Sequence, residues 1–236
     1  MRLTTSIIGA CALVSACGDQ AREPAAQSTP LATASVSAAA ESGPQVKGPE
    51  RRILAFGDSL FAGYRLGRGQ GYPERLQAAL RKRGINARVT NAGVSGDTTA
   101  DGLHRFRFVM DSLDAPPDLA IVELGGNDLL RGIPPGETRQ NLAAIVAELH
   151  RRHVPVLMMG MRAPPNMGSA YVEQFNATYP VLAKQFGAEL VPFFQAPIFD
   201  KPALLQPDHL HPTAQGVEAL VAATADLVAT ALGSVS

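Results

Sequence analysis

The chain has 236 residues, 46% of them hydrophobic, which suits one sizeable core with an appendage. Its 21 Lys+Arg balance 21 Asp+Glu, Trp is absent and aromatics make up only 6%. That leaves neither the basic footprint nor the stacking surface that a nucleic-acid partner needs, so none is expected.

Both cysteines, Cys11 and Cys17, lie within the opening MRLTTSIIGACALVSAC. The rest of the chain therefore has no disulfide and no Cys-based metal site. Arg2 supplies a positive start, and Leu3 to Ala16 is mostly apolar but too short to span a bilayer as a helix. Residues 1–17 read as a secretory signal. Val14-Ser15-Ala16-Cys17 resembles a bacterial lipobox, with cleavage before Cys17 and lipid added to its thiol. Ile8-Gly9-Ala10-Cys11 fits the same pattern but leaves too short an apolar region. An ordinary signal peptide with a chance cysteine is the alternative. Residues 18–50, rich in Ala, Ser, Pro and Gln, show neither helical nor strand period and read as a disordered tether. The globular part spans 51–236.

From Arg51 onward, short apolar runs alternate with amphipathic stretches. Arg52 to Phe56 reads as a buried strand, and Tyr72 to Lys82 as a helix with Leu76, Ala79 and Leu80 on one face. Gly84 after the basic Arg81-Lys82-Arg83 marks that helix's end. Ala87 to Thr90 is a second strand, Thr98 to Met110 a helix, and Leu119 to Leu124 a third strand. Thr138 to Arg152 is a helix whose Leu142, Ile145, Val146 and Leu149 share a face. Val156 to Met159 is a fourth strand. Tyr171 to Phe186 is helical, with Pro180 expected to kink or divide it. Leu190-Val191 ends a fifth strand, and Pro212 to Leu232 is the last helix, Pro212 suiting its first turn. The alternation predicts an α/β fold: a three-layer α/β/α sandwich around a parallel five-stranded sheet, in flavodoxin-like strand order.

In such sheets ligands bind beyond the carboxyl ends of the strands. Gly57-Asp58-Ser59 follows the first strand, Asn91-Ala92-Gly93 the second and Gly125-Gly126-Asn127-Asp128 the third, while Asp208-His209-Leu210-His211-Pro212 precedes the last helix. Each is weak alone, because a serine after a strand is usually a helix cap. Their joint occurrence favours a nucleophile. A serine hydroxyl needs a base to take its proton. His211 can be that base, and Asp208 can hold its tautomer. Asp58, adjacent to Ser59, is expected to turn away and bond nearby backbone. Ser95, in Gly93-Val94-Ser95-Gly96-Asp97, breaks the nucleophile-elbow spacing. His209 and His211 alternate like a metal pair but lack a third clustered ligand. His104, His150 and His153 read as surface residues. The Met158-Met159-Met161 cluster reads as core or as the lining of an apolar groove.

Gly57-Asp58-Ser59-Leu60, Gly93, Asn127 and Asp208-x-x-His211 match, in order, the four blocks of the SGNH (GDSL) hydrolase superfamily. The match runs from about residue 52 to 232. The phrases GDSLFAGY, NAGVSGDTTADGL, VELGGNDLLRG and DHLHPTAQG resemble most the bacterial thioesterase/lysophospholipase/arylesterase group. The resemblance implies a serine hydrolase of acyl esters and thioesters, with Ser59, Asp208 and His211 catalytic and no cofactor. It implies oxyanion donors at the Ser59 N–H, the Gly93 N–H and the Asn127 side chain. It implies an acyl crevice bordered by the loop carrying Pro164, Asn166 and Met167. The expected partner is a small acyl ester or lysophospholipid, met by a monomer in the periplasm whose membrane contact is the Cys17 anchor. Two alternatives stay open: a glycan O-deacetylase of the cell envelope, and a non-catalytic envelope-binding module.

Overall fold

The computed structural model describes residues 46–233. Cys11, Cys17, the signal segment and most of the 18–50 stretch lie outside the described residues. Residues 46–50 have neither helix nor strand; Gly48 O accepts the Asn86 side-chain amide at 3.1 Å, and Glu50 pairs with Arg52.

Five strands form one parallel sheet: β1 (Arg51–Gly57), β2 (Ala87–Gly93), β3 (Leu119–Glu123), β4 (Val156–Met159) and β5 (Glu189–Val191). Their order is β2-β1-β3-β4-β5, every neighbour parallel. β1, β3 and β4 are continuous apolar runs because both faces of a parallel sheet are covered. β2 lies at an edge and alternates in burial.

Among the described residues seven α-helices accompany the sheet: α1 (Ser59–Ala62), α2 (Tyr72–Lys82), α3 (Thr99–Asp111), α4 (Gly126–Leu130), α5 (Pro135–Arg151), α6 (Ser169–Phe186) and α7 (Ala214–Gly233). α2 packs on α7, and α5 packs on both α3 and α6, which gives two helical layers. The split follows from right-handed crossovers: β1 to β2 runs one way along the sheet, and every later connection runs the other. The direction reverses at β1, so the ends of β1 and β3 open a crevice between diverging loops.

The fold class and strand order match the sequence reading, but several boundaries differ. The apolar pattern does not mark α1 and α4, which are each a single turn. α5 begins at Pro135, where proline suits an opening turn. α6 is not divided at Pro180. The lost bond is that of the Asn176 carbonyl on an incompletely buried flank, while Phe175, Tyr179 and Leu182 hold the helix to the core from the other side. Pro212 lies outside α7; it bridges to Leu205, and Thr213 Oγ1 accepts the Gly216 N–H at 3.1 Å.

One buried polar contact ties the α2 and α7 layer together. Tyr72 donates its hydroxyl to Thr224 Oγ1 at 2.7 Å, and Thr224 donates onward to Leu220 O at 2.8 Å. Tyr72→Phe removes the first bond and leaves Thr224 satisfied as a donor. Urea unfolding should show a loss of about 0.5–1.5 kcal/mol, with esterase turnover unchanged.

Candidate active site

β1 delivers Gly57 to the sheet's carboxyl edge, and Asp58 turns the chain into α1. The Asp58 side chain accepts the Leu60 N–H at 3.0 Å, so Asp58 is the cap and Ser59 is the first helical residue. Ser59 Oγ lies 2.8 Å from His211 Nε2, and His211 Nδ1 lies 2.9 Å from Asp208 Oδ2. Asp208 Oδ1 also accepts the backbone N–H groups of Leu210 and His211, each at 3.0 Å. Burial pushes the Asp208 carboxyl up, but those N–H donors and the His211 ring outweigh it and hold it down at about 2. The Tyr64 ring sits 4.4 Å from the imidazole. The loop carrying Asp208 and His211 is pinned by buried Gln206, which donates its side-chain amide to Tyr64 O at 2.8 Å and to Pro212 O at 2.9 Å. Gln206 carries no motif, and only its contacts reveal this role. The chain Ser59–His211–Asp208 can pass a proton from a hydroxyl to an imidazole and stabilise the resulting charge.

Asn127, in α4, lies across the same opening. Its Nδ2 donates to Asp58 Oδ2 at 3.0 Å and to Asp97 O at 2.9 Å. The Gly93 expectation is corrected by the geometry. The Gly93 N–H donates to Asn91 Oδ1 at 2.9 Å, and a Cβ there would fall 2.4 Å from Ala62 N. Gly93 is the last residue of β2, packed on α1, and does not line the cavity. The chain needs three more residues to clear the sheet. Gly96 then reaches the cavity with φ +89, a left-handed conformation that favours glycine. No acceptor among the described residues takes its N–H. Arg131 Nη2 donates to Gly96 O at 2.7 Å, and Arg105 bridges Asp97 and Gly57 O. This turn is thereby tied to the end of β1.

Ser95 also faces the cavity, but His211 Nε2 is engaged by Ser59. With both ring nitrogens engaged, His211 does not pair with His209, which is exposed at φ 57. Asp128 turns away from the opening and accepts from Thr99 N, Thr99 Oγ1 and Thr138 Oγ1, joining α3 to α5. His104, His150 and His153 are exposed, as read from the sequence.

Beneath Ser59 lies a pair of buried carboxyls. Asp58 accepts from Leu60 and Asn127 as expected of a carboxylate that bonds nearby groups, but it also adjoins Glu123. Glu123 is fully buried at the end of β3; its Oε2 receives the Asp58 N–H at 3.3 Å and its Oε1 has no partner among the described residues. Burial, reinforced by the neighbouring Asp58 charge, raises the Glu123 carboxyl well above its usual range. Burial also lifts Asp58, to about 6, opposed chiefly by the Leu60 N–H. Two adjacent buried carboxyls favour one negative charge, and Asp58 has the donors to hold it. A glutamate at a strand end carries no motif, so local sequence does not mark Glu123.

The opening continues into a cavity of about 550 Å³. Leu129, Leu130, Met161, Pro164, Met167 and Leu210 supply much of its apolar wall. Pro164 and Met167 thus lie where expected; Asn166 is exposed and not on the lining. Met158 and Met159 are core residues, and Met161 is the member of that cluster that reaches the cavity.

The family model for GDSL-like lipases/acylhydrolases matches residues 55–219. The chain belongs to this family. It is an acyl-ester hydrolase with the SGNH fold. It is 39% identical over 161 residues to an arylesterase of Vibrio mimicus, covering 68% of this chain and 80% of that one. It is equally identical over 160 residues to the thioesterase 1/protease 1/lysophospholipase L1 of Escherichia coli K12, covering 68% and 74%. The crystal structure of AlinE4, an SGNH-hydrolase family esterase, is 61% identical, covers 79% of this chain and 98% of its own, and superposes with a TM-score of 0.67. Two solved variants of AlinE4 replace a serine and an aspartate with alanine.

The buried pair sets a pH dependence of stability. Glu123 has a raised pKa in the fold, so its contribution is full below the unfolded carboxylate range and is lost as pH rises toward the folded value. Glu123→Gln keeps an acceptor for Asp58 N–H and removes the titration. Thermal unfolding from about pH 5 to about pH 8 should show the variant gaining on the parent, by at most about 1.4 kcal/mol per pH unit. A constant difference across that range would mean that Glu123 is ionised throughout.

Proposed function

We propose that Ser59 is the nucleophile, His211 the general base and acid, and Asp208 the residue that orients and stabilises the imidazolium. The observation that carries this reading is the continuous chain of contacts, 2.8 Å from Ser59 to His211 and 2.9 Å from His211 to Asp208. The AlinE4 variants support it, since their serine and aspartate stand at the same sequence separation as Ser59 and Asp208. Ser59 Oγ attacks the acyl carbonyl as its proton passes to His211 Nε2. The proton then goes to the departing alcohol or thiol, leaving an acyl-serine. Water, deprotonated by His211, attacks that ester, and Ser59 recovers its proton.

The oxyanion is received by the Ser59 N–H, the Gly96 N–H and Asn127 Nδ2, with Gly96 taking the place first given to Gly93. Asn127 has both amide hydrogens engaged in the resting site, so the oxyanion displaces the Asp97 carbonyl as one acceptor. The Asp58 carboxylate keeps the amide plane aimed meanwhile.

The substrate class is an ester or thioester with an extended apolar acyl group, an aryl ester or lysophospholipid in particular. A cavity of about 550 Å³ with leucine and methionine walls favours this over an acetyl-specific glycan deacetylase, whose acyl pocket is small. The signal segment and lipobox at Cys17 support export and a lipid anchor, with residues 18–50 as tether. An exported enzyme meets lysophospholipids sooner than cytosolic acyl-CoA.

Ser59→Ala should abolish labelling by a fluorophosphonate probe and cut turnover on p-nitrophenyl esters by several orders of magnitude, whereas Ser95→Ala should label normally. The reverse pattern would move the nucleophile to Ser95.

Asn127→Ala should cost ~2.7–4 kcal/mol of transition-state stabilisation, read as a fall in kcat with KM nearly constant. A rise in KM at constant kcat would make Asn127 a residue for substrate binding alone.

A further inference from the structure

The exposed apolar side chains of the domain are unevenly placed. Among the described residues the large exposed hydrophobics are Val94, Phe108, Leu130, Val181, Phe199, Leu210 and Leu227. Leu130 and Leu210 line the cavity. Phe199 rests against Phe193, a lining residue, with ring centroids 5.4 Å apart. Val94 immediately precedes the lining residue Ser95. Four of the seven therefore rim one opening, while Phe108, Val181 and Leu227 sit separately on α3, α6 and α7. Single exposed hydrophobics need no explanation, but a cluster around a mouth marks a contact surface.

The same rim carries three arginines outside any salt bridge, of which Arg131 has the carboxylate of Asp101 as an electrostatic neighbour. Arg65 lies over the Tyr64 ring at 5.0 Å, and Arg162 over the Phe193 ring at 5.7 Å. Arg131 reaches Gly96 O. None of the three is in a salt bridge among the described residues; Arg68, Arg81 and Arg139 are likewise outside one, so it is their position at the mouth that sets Arg65, Arg131 and Arg162 apart. Asp200, beside Phe199, is offset by Lys201. A chain of zero formal net charge thus presents a locally cationic, apolar collar around its catalytic opening.

We infer that this collar is a docking surface for an anionic lipid bilayer, on which the mouth of the cavity faces the membrane and takes up an acyl chain without passing it through water. The apolar side chains enter the headgroup boundary and the arginines meet lipid phosphates, the combination that holds peripheral proteins at membranes. Charge complementarity favours this occupant over a second copy of the chain, whose own collar would bring like charges together. The inference rests on the acyl-ester reading for its purpose, but the binding itself does not depend on catalysis.

The test uses the full chain carrying Cys17→Ser, so that no acyl anchor contributes. It is sedimented with vesicles of phosphatidylcholine alone and of phosphatidylcholine mixed with phosphatidylglycerol. The parent should bind the mixed vesicles more tightly. Adding Arg65→Gln should weaken that binding about fivefold, and adding Phe199→Ser should weaken it on both vesicle types. Both variants should hydrolyse p-nitrophenyl acetate at the parent rate, which also reports that they are folded. Phe108→Ser, on α3, should bind as the parent does. Equal binding to both vesicle types, a Phe108→Ser effect as large as that of Phe199→Ser, or no effect of either collar variant overturns the inference. So does a dimer, formed without vesicles, that Phe199→Ser dissociates. A parent inactive on p-nitrophenyl acetate that still binds vesicles through the collar would instead count against the proposed function.

Discussion

The site depends on one buried carboxylate, that of Asp58. It caps α1 through Leu60 N–H and so sets where Ser59 emerges from the end of β1. Its other oxygen holds the Asn127 amide, which comes from the far side of the switch point after β3. One side chain thus fixes both the helix that opens with Ser59 and the Asn127 amide. A charge in this position is costly unless every lone pair is used, and burial raises Asp58 to about 6. Glu123 beneath it carries the shared proton of the pair more readily, and this leaves Asp58 as the charged acceptor.

Two further ties keep the remaining parts in register with Asp58. Arg105, stacked 4.2 Å from the Phe56 ring, bonds both Gly57 O and Asp97, so the turn carrying Gly96 moves with the end of β1. Gln206 fastens the Asp208–His211 loop to Tyr64 O just beyond α1. The three segments that meet at the opening are each bonded to the same short stretch, residues 57–64. Such fixed supports are what keep reacting groups within a fraction of an ångström of a productive geometry.

The wall opposite these polar groups is built differently. Leu129, Leu130, Met161, Met167 and Leu210 offer no directional bonds, and they come from α4 and from the loops after β4 and before α7. Apolar walls select by volume and tolerate variation in shape, and flexible methionines extend that tolerance. A precise polar edge and a permissive apolar wall suit one reaction carried out on esters of differing acyl groups. The exposed rim of that wall is also where a lipid phase would meet the domain.

The sequence by itself determined the layered fold, because alternating apolar runs and amphipathic stretches leave a covered parallel sheet as the arrangement that buries both. It also pointed to Ser59 and Asn127, which follow β1 and β3 at one sheet edge, and to Asp208 and His211, which stand just before α7. It misplaced Gly93, because a motif does not say how far β2 extends, and a strand that runs to Gly93 moves the accessible N–H to Gly96. It also missed Glu123, Arg105 and Gln206. Their roles come from partners 65, 48 and 142 positions away, and no local spacing encodes such contacts. The single-turn helices α1 and α4 escaped for a related reason: one turn shows no period, and packing rather than pattern holds it in place. Strand order and side-chain periodicity are local and repeat along the chain, so sequence carries them. The supports of a catalytic site are single long-range contacts in a buried, low-dielectric setting, and only the tertiary structure decides which groups share it.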